Sequence, residues 1–189
     1  MVKKNLRKLT LAAILTALSI VLDITFKTLV PANQSFGFPF YAIPLVLGSI
    51  VLGPIYGGTM GFISDAIGFF AAPRGDYNIL FALQAISWGI VPFFLAKRNA
   101  KAFRVGFAVF ISHLIASTLS TTADFLFHYL TLGKAVNQAL AVAFVHVPLR
   151  LLMMPVNIII ITYIIYTVNT RLEPLYVEFF AEHKQKKQI

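Results

Sequence analysis

Apolar residues fall in six runs, at about 9–30, 40–53, 55–71, 79–96, 105–131 and 139–168, with charges, prolines or glycines at the breaks between them. A stretch of about 20 apolar residues has the length of an α-helix that crosses hydrocarbon. The pattern therefore predicts an all-α integral membrane protein of six transmembrane helices, forming a single membrane domain over 1–189. The second run is short and reaches the third through Gly53-Pro54, a step that breaks a helix, so these two are expected to form a tight hairpin. The first run follows Lys3, Lys4, Arg7 and Lys8 in the manner of a signal peptide. It is long for such a segment and carries Asp23 and Lys27 near its far end, so it reads as a retained first helix. The segment 172–189 reads as a short polar tail.

Composition strengthens this picture. Of 189 residues, 58% are hydrophobic and 12% charged, and the mean hydropathy is +0.80; a soluble domain has roughly 45–50% apolar and 25% charged residues. A water-soluble globular fold is excluded, and six spans leave no room for an attached motor or enzyme domain. The net charge of +9 would suggest nucleic acid in a soluble protein, but the basic residues sit at the chain ends and in one loop. With the N-terminus inside, the inner segments hold Lys3, Lys4, Arg7, Lys8, Lys97, Arg98, Lys101, Arg104, Arg171, Lys184, Lys186 and Lys187, 12 of the 16 Lys and Arg. Arg74 and Lys134 fall outside, and Lys27 and Arg150 within spans. This positive-inside asymmetry predicts cytoplasmic termini and a multi-pass protein of the cell membrane, and it excludes nucleic-acid binding. The absence of cysteine excludes disulfides and thiolate metal sites.

An ionisable group in the hydrocarbon region needs a partner or a wet cavity. Gln84 and Trp88 are i,i+4 neighbours on the fourth span; Thr121, Asp124 and His128 share a face of the fifth; His146, Arg150 and Asn157 follow one stripe of the sixth. Most of these positions lie in the outer half or near the middle of their spans, beside the external loops 31–39 and 72–78. The second of these loops adds Arg74, Tyr77 and Asn78, and the first adds Phe36. A cavity lined by such groups suits a small polar solute with a conjugated or acidic part. Each residue also has a structural reading. Asp23 and Lys27 are expected to neutralise one another and stay out of the site. Asp124 and His128 could be a hydrogen-bonded structural pair, Arg150 could pair with Asp124 across helices, and Trp88 could be core. Asp65 reads as helix glue and His113 as a packing histidine.

Ala13 and Ala17, like Ala12 and Thr16, are small residues four apart, a spacing that lets another helix approach closely. Near the cytoplasmic end of the first helix they offer a partner surface. The glycine-rich stretch Gly53 to Gly61 lacks the Lys-Ser or Lys-Thr of a phosphate-binding loop, and neither H-E-x-x-H nor G-x-S-x-G occurs. The chain is expected to be neither an ATPase nor an enzyme, with no metal and no cofactor. A self-sufficient proton-coupled transporter using Asp124 and His128 is the alternative, although no internal repeat is evident.

The order of several segments resembles the substrate-binding S component of energy-coupling factor (ECF) vitamin transporters, and most of all their folate-family branch. The residues that carry the resemblance are the basic N-terminus running into Ala13-x-x-x-Ala17, Phe36-Gly37-Phe38-Pro39-Phe40, Leu52-Gly53-Pro54-Ile55-Tyr56-Gly57-Gly58, Gly61-Phe62-Ile63-Ser64-Asp65, and Ala72-Pro73-Arg74-Gly75-Asp76-Tyr77. The resemblance implies a six-helix subunit that binds a water-soluble vitamin from outside. It also implies as partners a transmembrane coupling subunit and two cytoplasmic ATPase subunits, with the Ala13/Ala17 face packing on the coupling subunit. Folate is the first expectation; the loop from Pro73 to Leu80 departs from the folate pattern, which keeps pantothenate, pyridoxine and hydroxymethylpyrimidine open.

Overall fold

The computed structural model describes residues 2–29, 38–73 and 77–181. It is helical throughout, with no strand among the described residues: α1 (Val2–Leu29), α2 (Ala42–Leu52), α3 (Pro54–Ala71), α4 (Ala82–Leu95), α5 (Ala102–Leu126), α6 (Val136–Phe144) and α7 (Val147–Ala181). A 3₁₀ turn at Ile79–Phe81 leads into α4, and a π turn at Phe127–Thr131 ends α5. All six apolar runs are helical. The last, expected as one helix over 139–168, is instead broken at Val145 and His146 into α6 and α7. Pro148 in the first turn of α7 has no backbone N–H to give to the carbonyl four residues earlier, Phe144 at the end of α6, so the helical ladder is interrupted there. The polar segment expected as a separate tail from 172 continues α7 as far as Ala181.

Three stretches, Asn5–Leu29, Ala102–Thr131 and Val136–Pro174, are long and apolar enough to cross a membrane. With its 11 residues, α2 would extend only about 16 Å, roughly half the hydrocarbon thickness. It survives because every one of its residues is buried, enclosed by α1, α3, α4 and α7. The hairpin at Gly53-Pro54 forms as the sequence predicts: Gly53 takes φ +100° as the C-cap of α2 and N-cap of α3, and Pro54 opens α3. Only glycine adopts that backbone without strain. Arg98 Nη2 donates to the Val51 carbonyl at 2.7 Å, satisfying one of the orphan acceptors at the end of α2.

The closest helix pair is α3 with α4. Gly57 and Gly61 on α3 face Gly89 and Ala85 on α4 so closely that a Cβ at Gly57 would overlap the Gly89 carbonyl oxygen, and one at Gly61 the Ala85 carbonyl. Two small-residue pairs, each four apart, thus bring two backbones into contact where lipid offers no hydrophobic drive for association. Deeper along α2, Ser49 Oγ accepts from the Phe93 backbone N–H at 3.0 Å, tying α2 to α4.

Gly57→Val is expected to lower stability by about 1–3 kcal/mol or more, since neither backbone can retreat without opening the bundle. Gly106→Ala, whose Cβ would make only an ordinary contact with Thr162, is expected to melt like the parent chain. Thermal unfolding of the two variants in detergent makes the comparison.

Candidate functional site

The basic residues Lys8, Lys97 and Arg98 gather at one end of the bundle, and the polar groups of the spans gather toward the other. There the N-terminus of α2 is fixed by Tyr41. Ser19 Oγ on α1 donates to the Tyr41 carbonyl at 2.8 Å, and its contact with Ser64 Oγ at 2.7 Å then requires the Ser64 hydroxyl to be the donor. Gln84 Nε2 on α4 donates to the Tyr41 hydroxyl at 2.9 Å. One tyrosine therefore links α1, α2, α3 and α4, and the charges of Asp23, Asp65 and Arg150 all act on it.

Asp23 and Lys27 form the expected i,i+4 ion pair, 2.5 Å between Nζ and Oδ2. Asp65 accepts from the Tyr77 hydroxyl at 3.4 Å, and the Tyr77 ring lies against Phe69 and Phe70 at centroid distances of 5.0 and 5.4 Å. The Asn78 side chain serves the backbone, where its Oδ1 accepts from the Leu80 N–H at 3.0 Å and caps the 3₁₀ turn. Phe36 and Arg74 lie outside the described residues.

The second half of the site sits between α5 and α7. Arg150 Nη1 donates to Thr121 Oγ1 at 3.1 Å, and Nη2 lies 3.5 Å from Asp124 Oδ2. A tight guanidinium–carboxylate pair closes to about 2.7–2.9 Å, so this pair is loose. His128 does not bond the Asp124 carboxylate; its Nδ1 lies 2.8 Å from the Asp124 backbone carbonyl. The Asp124 carboxylate is left to Arg150. His146, at the bend between α6 and α7, is exposed and, like His128, stands near Asp124. Beside Arg150 a cavity of about 340 Å³ opens between α5, α6 and α7. Thr118, Thr121 and Thr122 line it with apolar side chains around them. Each of these threonines donates its hydroxyl hydrogen to the carbonyl four residues earlier. What they present to the cavity is methyl groups and lone pairs.

Trp88 and Asn157 lie deeper. Trp88 is 1% exposed, edge-on to His113 with centroids 5.5 Å apart, and its Nε1 has no hydrogen-bond partner among the described residues. Asn157 Nδ2 lies 3.1 Å from His113 Nε2, and Ser117 Oγ lies 3.2 Å from His113 Nδ1. An amide donor on Nε2 makes that nitrogen the acceptor, so the proton sits on Nδ1 and points at Ser117. His113 thus joins α5 to α7 as a neutral packing group, as the sequence suggested. Tyr41, Ser19 and Ser64 belong to the polar cluster and are absent from the sequence-based site, whereas Thr121 stood there only as a member of the polar stripe of the fifth span. Tyr41 stands one residue before a helix whose only polar side chain is Ser49, the one signal that could have singled it out.

A family model described as ECF transporter, substrate-specific component, matches residues 7–166. The chain belongs to that family. Comparisons with curated proteins and with solved structures gave no match. As a substrate-specific component the chain is a multi-pass membrane protein, a substrate-binding transport subunit and not an enzyme.

His113→Phe is expected to destabilise the bundle by about 1–3 kcal/mol, because it strips a buried partner from the Asn157 amide. Adding Asn157→Leu should recover part of that loss, since replacing both partners removes the unsatisfied group. Unfolding of the single and double variants in detergent separates the two effects.

Proposed function

We propose that this subunit is the high-affinity binder of a water-soluble vitamin in an ECF-type ABC importer of a prokaryotic plasma membrane. It takes the vitamin from outside between the outer halves of α4, α5, α6 and α7 and the loops 31–39 and 72–78. The observation that carries this reading is Arg150: a guanidinium in a membrane-crossing helix whose nearest carboxylate is 3.5 Å away, beside a cavity of about 340 Å³. Two of its five N–H groups make those contacts, and the remainder suit a bidentate bond to a ligand carboxylate. Folate and pantothenate both carry one, and folate is the leading choice. Gln84 and Asp124 offer an amide and a carboxylate to a heteroaromatic edge, which keeps pyridoxine and hydroxymethylpyrimidine as the next choices. Tyr77, Asn78, His128 and His146 are proposed as further ligand contacts, together with Phe36 and Arg74 of the two loops and with Trp88 and Asn157 deeper in the bundle.

The energy comes from partners: a transmembrane coupling subunit and two cytoplasmic ATPase subunits. Ala12 and Thr16 are buried within the bundle, whereas Ala13 and Ala17 on α1 are exposed, among the exposed Leu9, Ile14, Leu18 and Val21. That small-residue face, turned away from the chain's own core, suits close packing of the coupling subunit. The positive-inside asymmetry supports cytoplasmic termini.

Titration of the purified chain with a vitamin panel, followed by calorimetry and by Trp88 fluorescence, tests the reading. One vitamin should saturate a single site, and Arg150→Ala should weaken it by about 2–5 kcal/mol, more than tenfold in Kd. No saturable binding by any vitamin, or an unchanged Kd for the variant, would remove Arg150 from the account. Ala13→Trp and Ala17→Trp should leave that Kd unchanged and abolish ATP-dependent uptake by the assembled importer; undiminished uptake would remove the proposed partner face.

A further inference from the structure

The end of the bundle opposite the polar cluster carries a second cavity, about 510 Å³, between the N-terminal part of α1, the α2–α3 turn at Gly53 and the end of α4. Lys8, Lys97 and Arg98 line it together with Gly53, Phe93 and Phe94. Arg98 is committed to the Val51 carbonyl. Lys8 and Lys97 have no ion-pair partner among the described residues, and neither 1–22 nor 77–123 contains an Asp or Glu. Phe93 and Phe94 are 42% and 70% exposed, on the outside of α4. The cavity thus joins two lysines that have no ion-pair partner among the described residues to an exposed aromatic wall.

We propose that this cavity binds the phosphate headgroup of an anionic phospholipid, with the acyl chains running along Phe93 and Phe94. The proposal rests on the cytoplasmic placement of this end given above, which puts the site at the level of the inner-leaflet headgroups, where anionic lipids draw basic side chains. A lipid fits better than an acidic segment of the coupling subunit. At 100° per residue, Lys8 stands about 140° and 180° around α1 from Ala13 and Ala17, so the cavity and the proposed partner face lie on different sides of the helix. The two lysines leave the phosphate two ammonium groups, and the aromatic flank gives selectivity for a lipid over a free anion.

Native mass spectrometry of the full chain in detergent, supplied with phosphatidylglycerol or phosphatidylcholine of identical acyl chains, tests the proposal. The parent chain should retain phosphatidylglycerol at least tenfold better, and inorganic phosphate should not displace it. Lys8→Gln/Lys97→Gln should reduce that preference at least fivefold, and Lys8→Arg/Lys97→Arg should preserve it. Lys97→Gln alone, in an exposed loop, should show a partial loss if the double variant folds poorly. Equal retention of the two lipids, or an unaltered preference in the glutamine variants, overturns the proposal. So does displacement by inorganic phosphate, which would make this a simple anion site, and so does a glutamine variant that keeps its lipid preference but fails to join the coupling subunit. The measurement needs neither vitamin nor coupling subunit, so its failure and that of the vitamin-binding reading are separate.

Discussion

The backbone contact between Gly57 and Gly89 is the constraint from which the rest of this bundle follows. In lipid, apolar side chains gain nothing by leaving the solvent, so helices associate through close packing and internal hydrogen bonds. Two glycines and the neighbouring Gly61–Ala85 contact let α3 and α4 touch backbone to backbone. Together with α1 and α7 they enclose α2, a helix too short to span the membrane and buried along its whole length. A short helix at the centre brings its N-cap residue, Tyr41, into the bundle. Four helices meet at that residue, and the polar cluster is organised around it.

The same solvent explains how the polar residues are distributed. Groups deep in the bundle are spent on one another: Ser49 on the Phe93 backbone, His113 on Ser117 and Asn157. Beside the cavity at α5 and α7 the pairing loosens. Arg150 and Asp124 stand 3.5 Å apart beside a cavity, and Gln84 offers Oε1 once its Nε2 is given to Tyr41. Tight pairing where the chain holds itself together and slack pairing beside a cavity is the arrangement a binding subunit requires. Charge divides along the same axis, with the basic residues that orient the chain at the far end.

What could be read from the sequence were the features encoded by local spacing. The six apolar runs, the Gly53-Pro54 hairpin and the Asp23–Lys27 pair depend on residues within a turn or two of each other, and all three are present. The polar stripes of α4, α5 and α7 were visible for the same reason. Partners across helices were not, because they depend on the rotation and depth at which two helices cross. Ser19 with Ser64, Gln84 with Tyr41 and Asn157 with His113 are 45, 43 and 44 residues apart. The i,i+4 rule suggested His128 for the Asp124 carboxylate; the histidine bonds the Asp124 backbone carbonyl instead. The bend at Val145–His146 was hidden inside a continuous apolar run, with Pro148 as its only mark.

The central claim is that the chain binds but does not itself drive transport. Uptake of the bound vitamin into proteoliposomes tests it most directly, with the chain alone under a pH gradient compared with the chain joined to a coupling subunit and two ATPases. The account predicts binding without accumulation in the first case, and accumulation that requires ATP in the second. Accumulation by the chain alone, driven by the proton gradient, would contradict it.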